Sequence, residues 1–267
     1  METKSGWLRW IRWGVFVLIF VLAASALSAW QFDRRTERVE QIQLVVDNFD
    51  MPAEPLADIH WQLNSDGVAL QEWRPAMITG RYLPEATLLV RNRPLAGRAG
   101  FLQITPFELS DGQILIVERG WVATGNDGGI PDDVYAISAS DRTAIVRLRA
   151  GEKGDPAPSE SGSISSLNLE YLAAELEISG AVITEFYGRL VSETPPDASY
   201  PLQMPKPSLN EGNHLSYALQ WILFGFMAIV ALVWAIRRER AVVRGVEPKR
   251  NLGRIANEDA NAEDALT

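Results

Sequence analysis

Two uncharged apolar stretches, one near each end of the chain, constrain the fold most strongly. The first lies between Arg12 and Asp33 and the second between His214 and Arg237. As helices that rise about 1.5 Å per residue, they would be about 30 Å and about 33 Å long, enough to cross the hydrocarbon core of a bilayer. The sequence therefore predicts two transmembrane helices.

Tryptophans lie at the ends of both stretches. Trp13 and Trp30 bracket the first, while Trp221 and Trp234 lie toward the ends of the second. Amphipathic rings settle at the level of the lipid headgroups, so these residues indicate membrane-spanning helices independently of length.

Basic residues flank the outer ends of the two predicted spans. They are Lys4, Arg9 and Arg12 before the first span, and Arg237, Arg238, Arg240, Arg244, Lys249, Arg250 and Arg254 after the second. By the positive-inside rule, both termini of this multi-pass protein are expected in the cytoplasm. Arg34 and Arg35 oppose this orientation, but they lie beside acidic residues and are outnumbered.

The flanks divide the chain into five predicted segments. These are a cytoplasmic N-terminus (1–12), a first transmembrane helix (13–32), an extracytoplasmic α+β domain (33–213), a second transmembrane helix (214–236), and a cytoplasmic basic flank with a disordered tail (237–267). An alternative treats the N-terminus as a cleaved signal peptide, because Ala24-Ser25-Ala26 places small residues near the end of an apolar run. The run is longer than a typical signal core, so retention as an anchor is favoured.

The charge and cysteine content exclude several classes of function. Residues 31–213 contain 27 acidic and 15 basic side chains, which leaves a net charge of −12. Such a domain repels nucleic acid, which is therefore not an expected partner. The sequence contains no cysteine, which excludes disulfides, thiolate metal sites and a copper chaperone built on a cysteine pair.

The predicted external domain is rich in short β-forming runs separated by turn signals. Strands are expected over residues 76–82, 86–93, 100–107, 113–122, 143–149 and 181–191. Residues 114–118 are nearly all apolar, which predicts a central strand buried on both faces. Asn168 is a favourable cap for one short helix. The expected fold is therefore an α+β domain built on an antiparallel β-sheet or a small, partly closed barrel.

No catalytic set of residues is recognisable, so enzymatic activity is not expected. His60 lies in a loop-like region and is interpreted as an ordinary surface or packing residue. Two distant histidines without cysteine form no metal-binding motif. Near the end of the most apolar strand, Gly120 permits a close approach of backbone, and Trp121 is expected to pack in the core rather than bind a partner.

The start of the second span carries the remaining histidine. At helical spacing His214, Tyr217, Ala218 and Trp221 share one face, so an imidazole and two aromatic rings are aligned at the membrane boundary. This face suits a flat apolar cofactor, and it also suits a simple interfacial anchor. Taken alone, the anchor is the more frequent case.

Several motifs occur in a fixed order between the two spans. They are Ala29-Trp30-Gln31-Phe32-Asp33-Arg34, Gly80-Arg81-Tyr82, the run from Gly100 to Phe107, Asp111-Gly112, Ile116-Val117-Glu118-Arg119-Gly120-Trp121-Val122, and the run from His214 to Trp221. In this order they resemble the Surfeit locus protein family of cytochrome c oxidase assembly factors. Two departures are Ser28-Ala29, where that family commonly has Leu-Gly, and Ala123, where a proline is common; neither affects the His214 segment.

The resemblance implies a bacterial protein of the cytoplasmic membrane that acts as a chaperone in the assembly of a respiratory-chain haem–copper oxidase. It would receive haem a and assist its insertion into the catalytic subunit, with oxidase subunits and haem a synthase as partners. His214 would then be an axial ligand to haem iron, and Tyr217 and Trp221 would pack against the macrocycle. Trp30, Gln31, Gly100, Arg119, Gly120 and Trp121 would be structural motif residues. The alternative is a membrane-anchored scaffold that binds oxidase subunits without carrying haem.

Overall fold

The computed structural model describes residues 3–132, 135–159, 162–176 and 178–244. These residues fall into two compact units. One contains the residues up to Arg38 together with those from Glu211 onward, and the other contains residues Val39–Asn210. The end of the predicted cytoplasmic tail, residues 245–267, lies outside the described residues.

The first unit is built from two long helices. Helix α1 spans Thr3–Asn48 and helix α3 spans His214–Val243, and each is long and apolar enough to cross a bilayer. Most of their large apolar side chains point outward; Phe16 is 61% exposed and Phe226 is 63% exposed. An apolar surface of this extent requires a nonaqueous environment. The chain is therefore a membrane protein.

The side chains through which α1 and α3 face each other recur alternately every four and three residues. On α1 they are Trp10, Gly14, Val17, Val21, Ala24, Ser28, Gln31 and Arg35, and on α3 they are His214, Ala218, Trp221, Gly225, Ala228, Leu232, Ala235 and Glu239. A repeat of seven residues is the pattern of a left-handed helix pair. We refer to these two rows as the helix seam.

Small residues allow the two helices to approach closely in the middle of the seam. Ala218 is fully buried, and a methyl group placed on Gly225 would lie 3.8 Å from Ala24 Cβ. Ser28 Oγ donates a hydrogen bond to the carbonyl oxygen of Ala218 at 3.1 Å. Small residues on α3 therefore allow α1 to pack closely against it.

The second unit contains the end of α1, seven strands and one short helix. The strands are β1 (Glu54–Pro55), β2 (Pro75–Tyr82), β3 (Leu88–Val90), β4 (Gly100–Leu109), β5 (Ile114–Ala123), β6 (Arg142–Arg149) and β7 (Tyr187–Thr194), and the helix is α2 (Leu169–Glu175). The strand order is β1-β2-β6-β7-β5-β4-β3, and β2 also pairs with β4. The last pairing closes five strands into a barrel, which confirms the predicted α+β fold with a small barrel.

The barrel closes at Gly80. Residues Pro75 to Gly80 of β2 pair with β6, whereas Gly80 to Tyr82 pair with β4, so both partners meet at this glycine. Its φ is 155°, and a Cβ atom there would lie 1.9 Å from the carbonyl oxygen of Glu108. Only glycine permits this close approach between strands.

Strand β5 is buried on both faces, as the apolar run predicted. Leu115 and Val117 belong to the cluster inside the barrel, together with Phe107 and Leu148. Ile116 belongs to a second cluster outside it, covered by α2. The cap predicted at Asn168 is also present, because its side chain accepts a hydrogen bond from the backbone N–H of Tyr171.

Three strands differ from the sequence-based prediction, and one of them, the two-residue β1, was not predicted. The strand expected over 86–93 is limited to β3, because residues Pro84–Ala86 form a 3₁₀ turn. The strand expected from residue 181 begins only at Tyr187. The barrel is mixed rather than purely antiparallel, because the long excursion through α2 brings β7 between β6 and β5, parallel to β5.

Candidate functional site

His214 is the first residue of α3 and is half-buried in the helix seam. Its Nδ1 atom lies 2.9 Å from Gln31 Oε1 on α1. A carboxamide oxygen only accepts hydrogen bonds, so Nδ1 donates and carries the imidazole proton. With the proton on Nδ1, the lone pair of Nε2 in the neutral form of the ring points away from Gln31, and Nε2 is the atom that can bind a metal.

The edge of the imidazole that carries Nε2 lies beside Gly212. This glycine has a φ of 75°, and a methyl group added there would lie 3.6 Å from Nε2 and 3.5 Å from Cδ2. Because glycine has no side chain, this edge of the ring is left uncovered. The turn that begins α3 therefore orients one nitrogen toward Gln31 and leaves the other accessible.

The two aromatic residues near His214 have different surroundings. Tyr217 is 50% exposed on the flank of α3. Trp221 is half-buried in the seam, and its ring meets Phe224 edge-on with centroids 5.9 Å apart. The sequence predicted a single helix face for these residues. In the structure His214 and Trp221 lie in the helix seam, whereas Tyr217 lies on the exposed flank of α3.

The motif around Trp30 lies on α1 opposite this turn. Trp30 is half exposed, with the guanidinium of Arg34 5.9 Å from its ring centroid. Arg35, one helical turn after Gln31, forms an ion pair with Glu211 at 2.8 Å. Gln31 was expected to be a structural motif residue, but the structure adds a specific role as the hydrogen-bond partner of His214. The sequence held no signal for this pairing.

The remaining motif residues lie in the barrel unit. Trp121 is buried, with 3% of its surface exposed, and its indole N–H donates to the carbonyl oxygen of Arg93. A Cβ atom on Gly100 would lie 2.3 Å from the Trp121 ring. Core packing of Trp121 is therefore confirmed, and Gly100 provides the space for its ring.

Gly120 makes room for the segment that follows β7. With a φ of 146°, a Cβ atom there would lie 2.7 Å from the carbonyl oxygen of Leu202. Trp121 and Leu202 exchange backbone hydrogen bonds of 2.7 and 2.9 Å. The predicted close approach of backbone at Gly120 is confirmed, and its partner is Leu202, which lies in the proline-rich stretch from Pro195 to Pro207.

Arg119 belongs to a buried network of charged side chains that the sequence analysis did not find. Arg119 Nη2 lies 3.3 Å from Glu193 Oε1 and 2.8 Å from Asp197 Oδ2. Arg142 Nη1 lies 2.7 Å from Glu193 Oε1 and 3.1 Å from Asp197 Oδ1. Both arginine side chains and that of Glu193 are fully buried. We call these four residues, with Tyr82 and Tyr200, the barrel ion network.

Two tyrosines complete the barrel ion network. Tyr82 and Tyr200 donate hydrogen bonds to Glu193 at 2.9 and 3.0 Å, and their rings face the Arg119 guanidinium at 5.0 and 5.3 Å. Burial raises the pKa of Tyr82 above its ordinary value, and the charge of Glu193 raises this pKa further. Burial likewise raises the pKa of Tyr200. Two arginines and two carboxylates balance, so the network is electrically neutral.

The described residues contain no group of three or more histidine, aspartate or glutamate side chains that could hold a bare metal ion. His60 is exposed on the barrel unit, which confirms its interpretation as a surface residue. A metal site at His214 would therefore have to involve a metal that brings most of its own ligands.

The fold and this site define a membrane protein in which two paired apolar helices accompany a closed mixed barrel. The model of the SURF1 family matches residues 18–226, and the chain belongs to that family. An uncharacterised SURF1-like protein of Mycobacterium bovis is 28% identical over 250 residues, which cover 87% of this chain and 88% of that protein. A SURF1-like protein of Rickettsia bellii is 25% identical over 246 residues, covering 87% of this chain and 93% of the relative.

Proposed function

We propose that this protein is an assembly factor for a haem–copper cytochrome c oxidase, and that it binds haem a at His214 and assists its insertion into the catalytic subunit. Membership of the SURF1 family supports the general role in oxidase assembly. The observation that carries the haem proposal is the hydrogen bond between His214 Nδ1 and Gln31, which leaves Nε2 free to coordinate. The protein would act as a carrier, without an enzymatic reaction of its own.

The residues around His214 fit haem better than a bare ion. The porphyrin supplies four nitrogen ligands, so the protein has to add only one or two axial ligands. His214 offers one, and Gln31 fixes the tautomer in which that nitrogen is unprotonated. Tyr217, which is exposed near His214, and Trp221 would contact the macrocycle. The apolar side chains on the flanks of α3 would pack against the apolar face of the porphyrin.

The proposed topology places both termini in the cytoplasm and the barrel unit outside. The basic flanks of both spans support it. The burial of Ala24 and Ser28 in the helix seam supports retention of the first span rather than its removal as a signal peptide, because removal would expose Ala218 and Gly225.

The test is an absorbance spectrum of the full-length protein after co-expression with the enzymes of haem a synthesis. The wild-type protein should carry haem with a Soret band, and His214→Ala should abolish that band. The matched control is His60→Ala, which removes the other histidine in the described part of the chain and should leave haem occupancy unchanged. Full occupancy in the His214→Ala protein would show that His214 is not the ligand.

A second candidate function is a scaffold that grips oxidase subunits without carrying haem. The net charge of −12 over residues 31–213 favours it, because an acidic surface attracts a basic face of a partner. This function predicts normal contact with oxidase subunits, measured by co-purification, from a protein without stoichiometric haem. The same pair of measurements therefore separates the two proposals.

A further inference from the structure

The ion pair between Arg35 and Glu211 joins the same two segments as the hydrogen bond between Gln31 and His214. Arg35 follows Gln31 by one turn of α1, on the same face of the helix, and Glu211 precedes His214 by three residues. Arg35 Nη2 lies 2.8 Å from Glu211 Oε2. A positive and a negative side chain are therefore held together next to the imidazole proposed to bind haem iron.

The guanidinium of Arg35 is only partly used by this ion pair. Its Nε atom is buried and has no hydrogen-bond partner in the described part of the chain. A planar guanidinium can bind one carboxylate through Nε and Nη2 together, but Glu211 is paired with Nη2 alone. A buried N–H group without an acceptor is unfavourable, so Arg35 can bind a second carboxylate better than it binds Glu211.

The ion pair is also placed and exposed in a way that permits exchange. Glu211 is the neighbour of Gly212, which lies along the edge of the imidazole that carries Nε2. The side chains of Arg35 and Glu211 are 36% and 49% exposed, and an ion pair of this exposure is weak. A ligand that binds Nε2 and carries its own carboxylate can therefore compete with Glu211 for Arg35.

We propose that Arg35 binds a propionate of the haem, and that Glu211 occupies this position while no haem is bound. The inference rests on the proposed haem binding at His214 and adds the residue that recognises the charged edge of the ligand. A propionate is a carboxylate, so the exchange replaces one negative partner of Arg35 by another and leaves no charge unpaired at the guanidinium. Without the exchange, Glu211 would repel the propionates.

The neighbouring Arg34 is the less suitable partner for a propionate. It forms an ion pair with Glu37 at 2.7 Å, and its guanidinium lies 5.9 Å from the centroid of the Trp30 ring. Both contacts stay within α1 and involve no residue of the segment that carries His214. Arg34 and Glu37 therefore provide a matched control, with the same two charges on the same helix.

The experiment is a titration of the full-length protein in detergent with ferric haem b and with its dimethyl ester, followed at the Soret band. Haem b carries the propionates that the ester lacks. Arg35→Gln should bind haem b roughly 10-fold more weakly than the wild type, the loss expected for a hydrogen bond between charged groups. Glu211→Gln should bind haem b roughly 3-fold more tightly, because no ion pair has to be broken. Both variants should bind the ester as the wild type does.

The control variants Arg34→Gln and Glu37→Gln should bind haem b with wild-type affinity. Equal losses in Arg34→Gln and Arg35→Gln would show only general attraction to an anionic ligand and would overturn the assignment. A loss of ester binding in Arg35→Gln as large as its loss of haem b binding would also overturn it, because the variant would then have disturbed the surroundings of the imidazole. Unchanged or weaker haem b binding by Glu211→Gln would show that Glu211 does not compete.

Failure of the proposed function gives a different result. If His214→Ala bound haem b and the ester as tightly as the wild type does, His214 would not be the ligand, and the assignment of Arg35 would fall with it. Loss of both ligands in His214→Ala, together with wild-type binding of haem b by Arg35→Gln, would overturn the assignment of Arg35 alone.

Discussion

The buried barrel ion network and the half-buried His214–Gln31 pair are both polar contacts between distant parts of the chain, yet they leave different chemistry available. In the network, Glu193 and Asp197 are shared by Arg119 and Arg142, and the guanidinium carbon of Arg119 lies 5.0 and 5.3 Å from the ring centroids of Tyr82 and Tyr200. At His214, Gln31 engages Nδ1, and no group among the described residues hydrogen-bonds Nε2.

This difference distinguishes a structural polar cluster from the site at which we propose haem binding. A neutral network whose carboxylates are all paired fixes one arrangement of strands and offers no electrons or protons to a ligand. A single hydrogen bond to one imidazole nitrogen orients the ring while preserving a lone pair. The motif residues are thus of two kinds: Arg119 belongs to the structural network, and Gln31 orients the imidazole of His214.

The largest expected effect is the loss of stability on removing a network arginine. Arg119→Met would leave Glu193 and Asp197 buried with half of their positive partners, at a cost of about 3–5 kcal/mol. Urea unfolding of the detergent-solubilised protein, followed by near-UV circular dichroism, measures it. The control is Arg81→Met, whose ion pair with Glu108 is exposed and contributes about 0–1 kcal/mol. Equal costs for the two variants would contradict a closed, structural network.

The second effect concerns affinity rather than stability. Gln31→Leu removes the acceptor that fixes the His214 tautomer, and we expect a loss of about 10–100-fold in haem affinity with the fold unchanged. Haem titration followed at the Soret band measures it. Gln220→Leu, a matched change at an exposed position of α3, should bind haem as the wild type does. If Gln31→Leu bound haem with unchanged affinity, the His214–Gln31 hydrogen bond would be a structural contact, like those of the barrel ion network.

The third prediction uses alkaline pH to test how tightly the network holds Tyr82. The pKa of Tyr82 is raised in the folded protein, so the folded chain keeps a proton that the unfolded chain releases above about pH 10. This contribution to stability is therefore complete below that pH and is lost as the pH rises. The wild-type free energy of unfolding should therefore fall by about 1 kcal/mol more than that of Tyr82→Phe when the pH is raised from 10 to 11.

Tyr171→Phe, outside the network, is the control for this measurement. It removes a phenol from α2 without touching Glu193. If the alkaline slope of Tyr82→Phe equalled that of the wild type, Tyr82 would release its proton as readily in the folded chain, and the network would be open to water.

The smallest effect is expected in the helix seam. Ser28→Ala removes the hydrogen bond to the carbonyl oxygen of Ala218 but keeps the small volume, so it should cost only about 0.6 kcal/mol. Unfolding in mixed detergent micelles measures this, with the exposed Ser25→Ala as the control. A cost of several kcal/mol would mean that the seam depends on polar contacts as strongly as the barrel does.

Features that depend on residues close together in the sequence could be predicted. Hydropathy predicted α1 and α3. Alternation and turn signals predicted four strands to within a few residues, and Asn168 predicted the start of α2. Closure of the barrel at Gly80 depends on the twist and register of strands that meet only in the fold. The Arg119 network joins residues 74 and 78 positions apart, for which no local pattern exists.

The same reasoning explains what was predictable at the membrane site. The position of His214 at the start of a span is a local property and was predicted. Its pairing with Gln31, 183 residues away, depends on the register of two helices and was not. Gly212, whose missing side chain uncovers Nε2, precedes the helix and was overlooked because a lone glycine before a helix is common.

The side chains of the helix seam recur every seven residues. The number of residues between them therefore has to be conserved more strictly than their identities. Each residue turns an α-helix by about 100°, so one deletion between Ala24 and Gln31 would carry the glutamine side chain out toward lipid and away from the imidazole. Exchanges among the outward-facing apolar residues would have no such effect. Across relatives, we expect alignments of this stretch to contain many substitutions and no gaps.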